Sequence, residues 1–281
     1  MPTEKDILNT TYSPPRPRPK QSVTDETRRT DMVYGIDIHH KDKPDWKALA
    51  KAGVQFAYIK LSEGCSWVDP KGVDNIKAAQ DAGLLVGAYH YFLPDGKPLA
   101  QFGNFCGQVD KAGGFEGMLL PALDVEGDKH GKVEPLTSTT YASDAALWVR
   151  NMEKNIGRLP VVYTFRSFSD GIGSWLNGCP LWASSFTKEG PGHPAKFTGW
   201  NDKWTFHQYT TTGDPNPLGI SIQDQNVFNG SIDELKKLIV VTKTVTMKVI
   251  DHATGKVLQT LEMVENGWHP EQGKIYVKGV K

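Results

Sequence analysis

Cysteine is scarce in this chain: three in 281 residues, Cys65, Cys106 and Cys179, far apart and odd in number. That argues against a disulfide framework or a zinc site and suits ordinary, partly buried thiols. Charge of one sign is not in excess either. Thirty-two Lys and Arg offset 32 Asp and Glu, so the composition gives no support to nucleic acid as a partner, which favours a basic face. The chain also lacks an apolar run of about 18–20 residues, so no membrane insertion is expected. The first 31 residues carry no apolar core of the kind a secretory signal needs. If the substrate lies outside the cytoplasm, another route must carry the protein there.

What remains is enough for one large α/β domain or two ordinary ones. Residues 1–31 read as a disordered leader, with Pro14, Pro15, Pro17 and Pro19 interleaved with Arg16, Arg18 and Lys20. From Val33 onward, strand and helix patterns alternate. Strands are expected at Val33–Ile38, Val54–Leu61, Leu84–Phe92, Met118–Val125, Pro160–Thr164, Leu181–Ser185, Trp204–Tyr209 and Ile220–Asp224. Helices are expected at Pro44–Ala52, Pro70–Ala82, Pro98–Lys111, Ser138–Ile156 and Phe168–Leu176, and Ser231 caps a last one over Ile232–Leu238. Gly53 and Gly83 stop the first two helices. Alternation of this kind means parallel strands with right-handed crossovers. The expected fold is an α/β, TIM-like barrel over 32–239 whose last part has lost its helices. Residues 240–281 differ, with strand-like runs at Thr242–Ile250, Lys256–Val264 and Lys274–Val277 forming a small β appendage.

Barrel enzymes place their chemistry at the C-terminal ends of the strands, and the residues there are polar and aromatic. Strand one ends in Asp37 before His39 and His40, and strand two carries Tyr58, Lys60 and Glu63. Strand three has Tyr89 and Tyr91 around His90. Strand four ends in Asp124 and Glu126, then come Tyr163, Trp182, Gln208 with Tyr209, and Asp224. Asp124 and Glu126 are two apart at the end of an apolar run, so in a strand both carboxylates point the same way. Such a pair repels itself, and its environment separates an acid from a base, as glycoside hydrolysis requires. Aromatic walls between carboxylates suit sugar rings. Blander readings stand beside these: Asp224 as a turn residue, Tyr58 and Tyr89 as core tyrosines, Trp182 as packing, and Lys60 with Glu63 as a surface pair. His90 lies on the opposite face from its tyrosines and reads as structural. His39 and His40 have no partner at metal-ligand spacing, so neither metal nor cofactor is expected.

These residues together resemble glycoside hydrolase family 25, the Chalaropsis-type muramidases. The resemblance is carried by Tyr-Gly-Ile-Asp-Ile at 34–38, Asp-Trp at 45–46, Gly-Val-Gln-Phe-Ala-Tyr-Ile-Lys-Leu-Ser-Glu-Gly at 53–64 and Val-Asp-Pro at 68–70. It continues in Ala-Gly-Leu-Leu-Val-Gly-Ala-Tyr-His-Tyr-Phe at 82–92 and Leu-Pro-Ala-Leu-Asp-Val-Glu at 120–126, with weaker echoes at 160–164, 181–183, 207–209 and 224–228, and covers about 33–238. It implies a (β/α)5β3 barrel that cleaves the β-1,4 bond between N-acetylmuramic acid and N-acetylglucosamine in bacterial peptidoglycan. By motif position, Glu126 would be the general acid. Asp124 would stabilise positive charge through the substrate's own 2-acetamido group, and Asp37 and Asp224 would complete the acidic floor. Tyr58, Tyr89, Tyr163, Trp182 and Gln208 would line the sugar subsites. The sequence departs from the family pattern at His39-His40, at His207 where tryptophan is usual, and in the approach to Asp224. A monomer is favoured. The competing functions are a non-catalytic glycan-binding barrel and a hydrolase of another amino-sugar polymer such as chitin.

Overall fold

The computed structural model describes residues 32–127, 139–241, 244–250, 254 and 257–264. The leader, and the strand expected at Lys274–Val277, lie outside the described residues. Eight strands close a barrel: β1 (Val33–Ile38), β2 (Phe56–Glu63), β4 (Leu85–Tyr91), β5 (Ala122–Asp124), β6 (Val161–Phe165), β7 (Leu181–Ser184), β8 (Phe206–Thr210) and β9 (Gln225–Phe228). The first seven are mutually parallel. A short β3 (Trp67–Val68) folds back antiparallel on the end of β2 and has no counterpart among the expected strands. Helices α1 (Trp46–Lys51), α2 (Gly72–Asp81), α3 (Pro98–Ala112), α4 (Thr139–Ile156) and α5 (Arg166–Leu176) follow the first five barrel strands. The last three barrel strands succeed one another without such helices. This is the five-plus-three arrangement that the strand–helix alternation predicts.

Local chemistry accounts for the helix ends. Asp45 caps α1 by accepting from the Ala48 amide at 3.0 Å. Gly53 and Gly83 follow α1 and α2 at φ of 101° and 87°, a backbone region that side chains disfavour. Ser231 and Glu234 form a reciprocal capping box at the start of α6 (Ile232–Lys236). Beyond the barrel, β10 (Thr244–Ile250) pairs antiparallel with β11 (Val257–Val264).

Two expected strands are corrected. The run 118–125 forms ladder structure only over Ala122–Asp124, because Pro121 has no N–H to donate. Leu119 and Leu120 instead donate to the carbonyls of Val86 and Leu238. The run 220–224 is not a strand. Ile220 and Ile222 are buried anchors of a loop, held by the Asn216 side chain, which bonds both the N–H and the carbonyl of Ile220. The strand begins at Gln225 and runs antiparallel to both β1 and β8. Because β9 is reversed, its start faces the same end of the barrel as the finishing ends of the other strands. Asp224 therefore still reaches that end, from the opposite chain direction.

The barrel's lower interior is aromatic. Phe56, Tyr58, Trp182 and Phe206 pack ring against ring, with Tyr58 and Trp182 centroids 4.7 Å apart. Glycines on adjacent strands make room: a Cβ at Gly35 would collide with the Phe56 ring, and one at Gly87 with the Tyr58 ring. Gly87→Ala should therefore overpack this layer and destabilise the protein by about 1–3 kcal/mol. Thermal unfolding checks this; an unchanged midpoint would show that the layer yields easily. Outside the barrel wall, His90 stacks on Trp148 at 12° between ring planes. Its nitrogens contact Ser62 Oγ at 2.8 Å and Gln101 Oε1 at 3.1 Å, and burial lowers its pKa to about 4. It is a neutral structural histidine facing away from the barrel interior.

Candidate active site

A cleft of about 350 Å³ opens where the parallel strands end. Its floor holds four carboxyl groups: Asp37 from β1, Asp124 from β5, Glu126 two residues on, and Asp224 before β9. Tyr89, Tyr163, Trp182 and Gln208 form its walls, with His39, Lys60 and Tyr91. Of the residues expected to form the acidic floor or line the sugar subsites, Tyr58 alone is placed elsewhere. It is wholly buried in the aromatic layer below, its hydroxyl donating to the Leu120 carbonyl at 3.1 Å. Its ring fills the space left by Gly87, so it supports the floor rather than lining a subsite.

Hydrogen bonds tie floor to wall. Gln208 Nε2 donates to both oxygens of Asp37, at 3.0 and 2.9 Å. Its Oε1 accepts from the hydroxyls of Tyr163 at 2.8 Å and Ser184 at 3.1 Å. Asn226 Nδ2 donates to Asp37 at 2.7 Å, and its Oδ1 accepts from the Trp182 indole at the same distance. One carboxylate, two amides, two aromatic residues and the Ser184 hydroxyl thus form one network. Asn226 was not singled out in the sequence. It lies on β9, the strand that Asp224 precedes, and becomes legible only once that strand is placed.

Asp124 is held differently. It is only 6% exposed, and its Oδ1 is buried with no hydrogen-bond partner among the described residues. An orphaned buried acceptor is costly unless something else fills the site.

Burial governs the protonation of the cluster. It raises Asp37 to about 6, against the opposing effect of the two amides. It raises Glu126 to about 7, with the Asp37 charge adding to the rise. Asp224 goes to about 8 from burial and then the neighbouring acids, and Asp124 rises well above the ordinary range from burial and then Glu126. Four carboxyls so placed cannot all ionise near neutral pH.

The counter-charge is Lys60, 8% exposed and paired with Glu63 at 2.8 Å. Its Nζ sits 4.6 Å from the Tyr91 ring centroid and 5.1 Å from that of Trp67 on β3. This is no surface pair: the lysine lowers the pKa of both Asp124 and Glu126. His39 borders the cleft with Nδ1 2.8 Å from Asp42 Oδ2, a bond that raises its pKa. His207, at the position where the family resemblance implies tryptophan, is buried. Its Nε2 lies 2.7 Å from the Ser185 carbonyl, its Nδ1 accepts from the Gly192 amide, and burial lowers its pKa to about 4.

Past Glu126, Tyr163 and Thr211, which border both spaces, the cleft continues into a larger groove of about 730 Å³. Among the described residues, no cluster of His, Cys, Asp and Glu is arranged to hold a metal ion, and no helix is long and apolar enough to cross a membrane. The site can hold a protonated carboxyl beside ionised ones, against aromatic faces, and that is acid–base chemistry on a ring-shaped polar substrate.

The family model described as glycosyl hydrolases family 25 matches residues 36–216. Lysozyme M1 of Streptomyces globisporus is 32% identical over 223 residues, covering 74% of this chain and 72% of that protein. A family 25 glycosyl hydrolase from Bacillus anthracis superposes with a TM-score of 0.65 at 27% identity, over 75% of this chain and 94% of that one. A bacterial lysozyme from Streptomyces coelicolor superposes with a TM-score of 0.61 at 30% identity, over 75% and 98%.

Proposed function

This chain belongs to glycosyl hydrolases family 25, and from that premise we propose how its cleft does the work of a lysozyme. The protein is a glycoside hydrolase acting on peptidoglycan, and the bond cut is the β-1,4 link from N-acetylmuramic acid to N-acetylglucosamine. Glu126 is the general acid that protonates the leaving oxygen. Burial keeps its proton in place up to about pH 7, where a donor is needed. Asp124 faces the reacting sugar, its unpartnered Oδ1 accepting from the 2-acetamido N–H so that the acetamido oxygen attacks the anomeric carbon. Asp37, anchored by two amides, holds fixed negative charge beneath the oxocarbenium-like transition state. Asp224 completes the floor. Tyr89, Tyr163 and Trp182 pack against the sugar faces.

The observation that carries this reading is the Asp124–Glu126 pair, set with Asp37 and Asp224 in one buried, aromatic-walled cleft. A digest of purified peptidoglycan beside chitin, read by mass spectrometry, tests it. New reducing ends on muramic acid are expected. Cleavage of chitin alone would assign another amino-sugar polymer, and no cleavage of either would leave a binding barrel. The place of action is the bacterial cell wall.

The pH profile follows from the same groups. Activity should fall as pH rises through about 7, where Glu126 loses its proton. Lys60→Met removes the charge that lowers the Glu126 pKa and leaves the Glu63 charge unbalanced, so both effects move this limb to higher pH. Initial rates across pH check this; a limb that stays in place would show that Lys60 does not act on the acid.

A further inference from the structure

The larger groove reached past Glu126 has a composition that the acid–base chemistry does not use. Its one cation, among the described residues lining it, is Arg166, the first residue of α5. The side chain is exposed, and no ion pair holds it among the described residues. Asp170, one turn on and lining the same groove, accepts instead from the Thr198 hydroxyl. Phe186 stands 60% exposed at the groove's edge, with Phe165 lining it too. An exposed phenylalanine and an unpaired guanidinium lining one groove fit a ligand that carries both methyl groups and carboxylates.

The cleft's polarity says which part of the substrate lies there. The narrower space holds all four carboxyls, so it takes the sugar on which positive charge develops. The larger groove shares only Glu126 of those four. A general acid sits on the leaving-group side of the bond it breaks, so the larger groove receives the leaving chain. When the bond after muramic acid is cut, that chain begins with N-acetylglucosamine, and the next sugar is again a muramic acid. Each muramic acid bears a lactyl ether extended by a short peptide with free carboxylates. A volume of about 730 Å³ is in the range that encloses ligands of several rings. We propose that Arg166, with Phe186, forms a subsite for the anionic peptide stem of the leaving glycan, so that the enzyme prefers stems with free carboxylates. This rests on the muramidase assignment above. An acidic cleft floor repels an anionic substrate, and a cation at the groove offsets that repulsion where the stems enter.

The test compares soluble, stem-bearing glycan strands whose carboxylates are free with the same strands after amidation. For the wild-type protein, kcat/KM should be roughly fivefold higher on the free form, the upper end for an exposed charge pair, with the difference in KM. Arg166→Ala should bring that ratio close to one, and Arg166→Lys should leave it in between. A wild-type ratio of one or below overturns the proposal without recourse to any variant, and so does a ratio that Arg166→Ala leaves unchanged. Absence of muramic-acid reducing ends from either substrate with the wild type would overturn the muramidase assignment as well, whereas cleavage without selectivity overturns the stem subsite alone.

Discussion

Glu126→Gln should lower the release of muramic-acid reducing ends from purified peptidoglycan by about 10²–10⁴-fold, the usual contribution of a positioned general acid. The amide matches the carboxyl in size and can still donate a hydrogen bond, but it has no proton to give up. Because Glu126 borders both parts of the cleft, substrate should still bind, so the loss belongs in kcat with KM nearly kept. The wild-type limb near pH 7 should also vanish from whatever activity remains. Release that survives the substitution would move the acid role elsewhere. Asp224, raised to about 8 and in the same floor, would be the next residue to test.

Asp124→Asn should produce an inactive protein that is more stable than the wild type. Activity should fall by roughly 10²–10³-fold, the scale for removing one preorganised electrostatic partner of the transition state. The stability gain follows from linkage. The Asp124 carboxyl has a higher pKa in the folded protein than in the unfolded chain, because burial and then Glu126 disfavour its charge. The folded state therefore holds its proton more tightly, and stability declines as pH rises above the unfolded value of about 3.9. An asparagine carries no such penalty. At pH 7 the thermal midpoint should rise by roughly 2–4 °C for each kcal/mol of penalty removed. The gain should shrink on acidification and vanish below about pH 4, where both forms are uncharged. A variant less stable than wild type at pH 7 would mean that the carboxyl makes a compensating bond, contrary to its unpartnered Oδ1.

These two substitutions act on residues that the sequence already pointed to, and the reason is geometric. A parallel barrel delivers its strand ends to one place, so acids that finish strands must meet whatever the loops do. The same logic failed for Tyr58. Alternation puts its side chain inside the barrel, but inside has a lower layer and an upper mouth. Which one a ring occupies depends on cross-strand space such as that left by Gly87, and no single strand shows this. The segment before Asp224 misled for another reason: Ile220 and Ile222 alternate as strand residues do, yet they are loop anchors. Lys60 and Glu63 read equally well as a surface pair, because three-residue spacing shows proximity but not depth. Asn226 was legible only once Asp224 was known to precede a strand rather than end one.

The reversed ninth strand decides where the chain leaves the barrel. Had β9 run with its neighbours, the chain would have left the barrel at the mouth, next to the substrate. Running backwards, it delivers the chain to the far end. There Val240 bonds the backbone of Gly117 and Met118, and β1 begins on that same side. The chain therefore enters the described barrel at Met32 and leaves it at Val240 on the side away from the mouth, so neither crossing point borders the substrate.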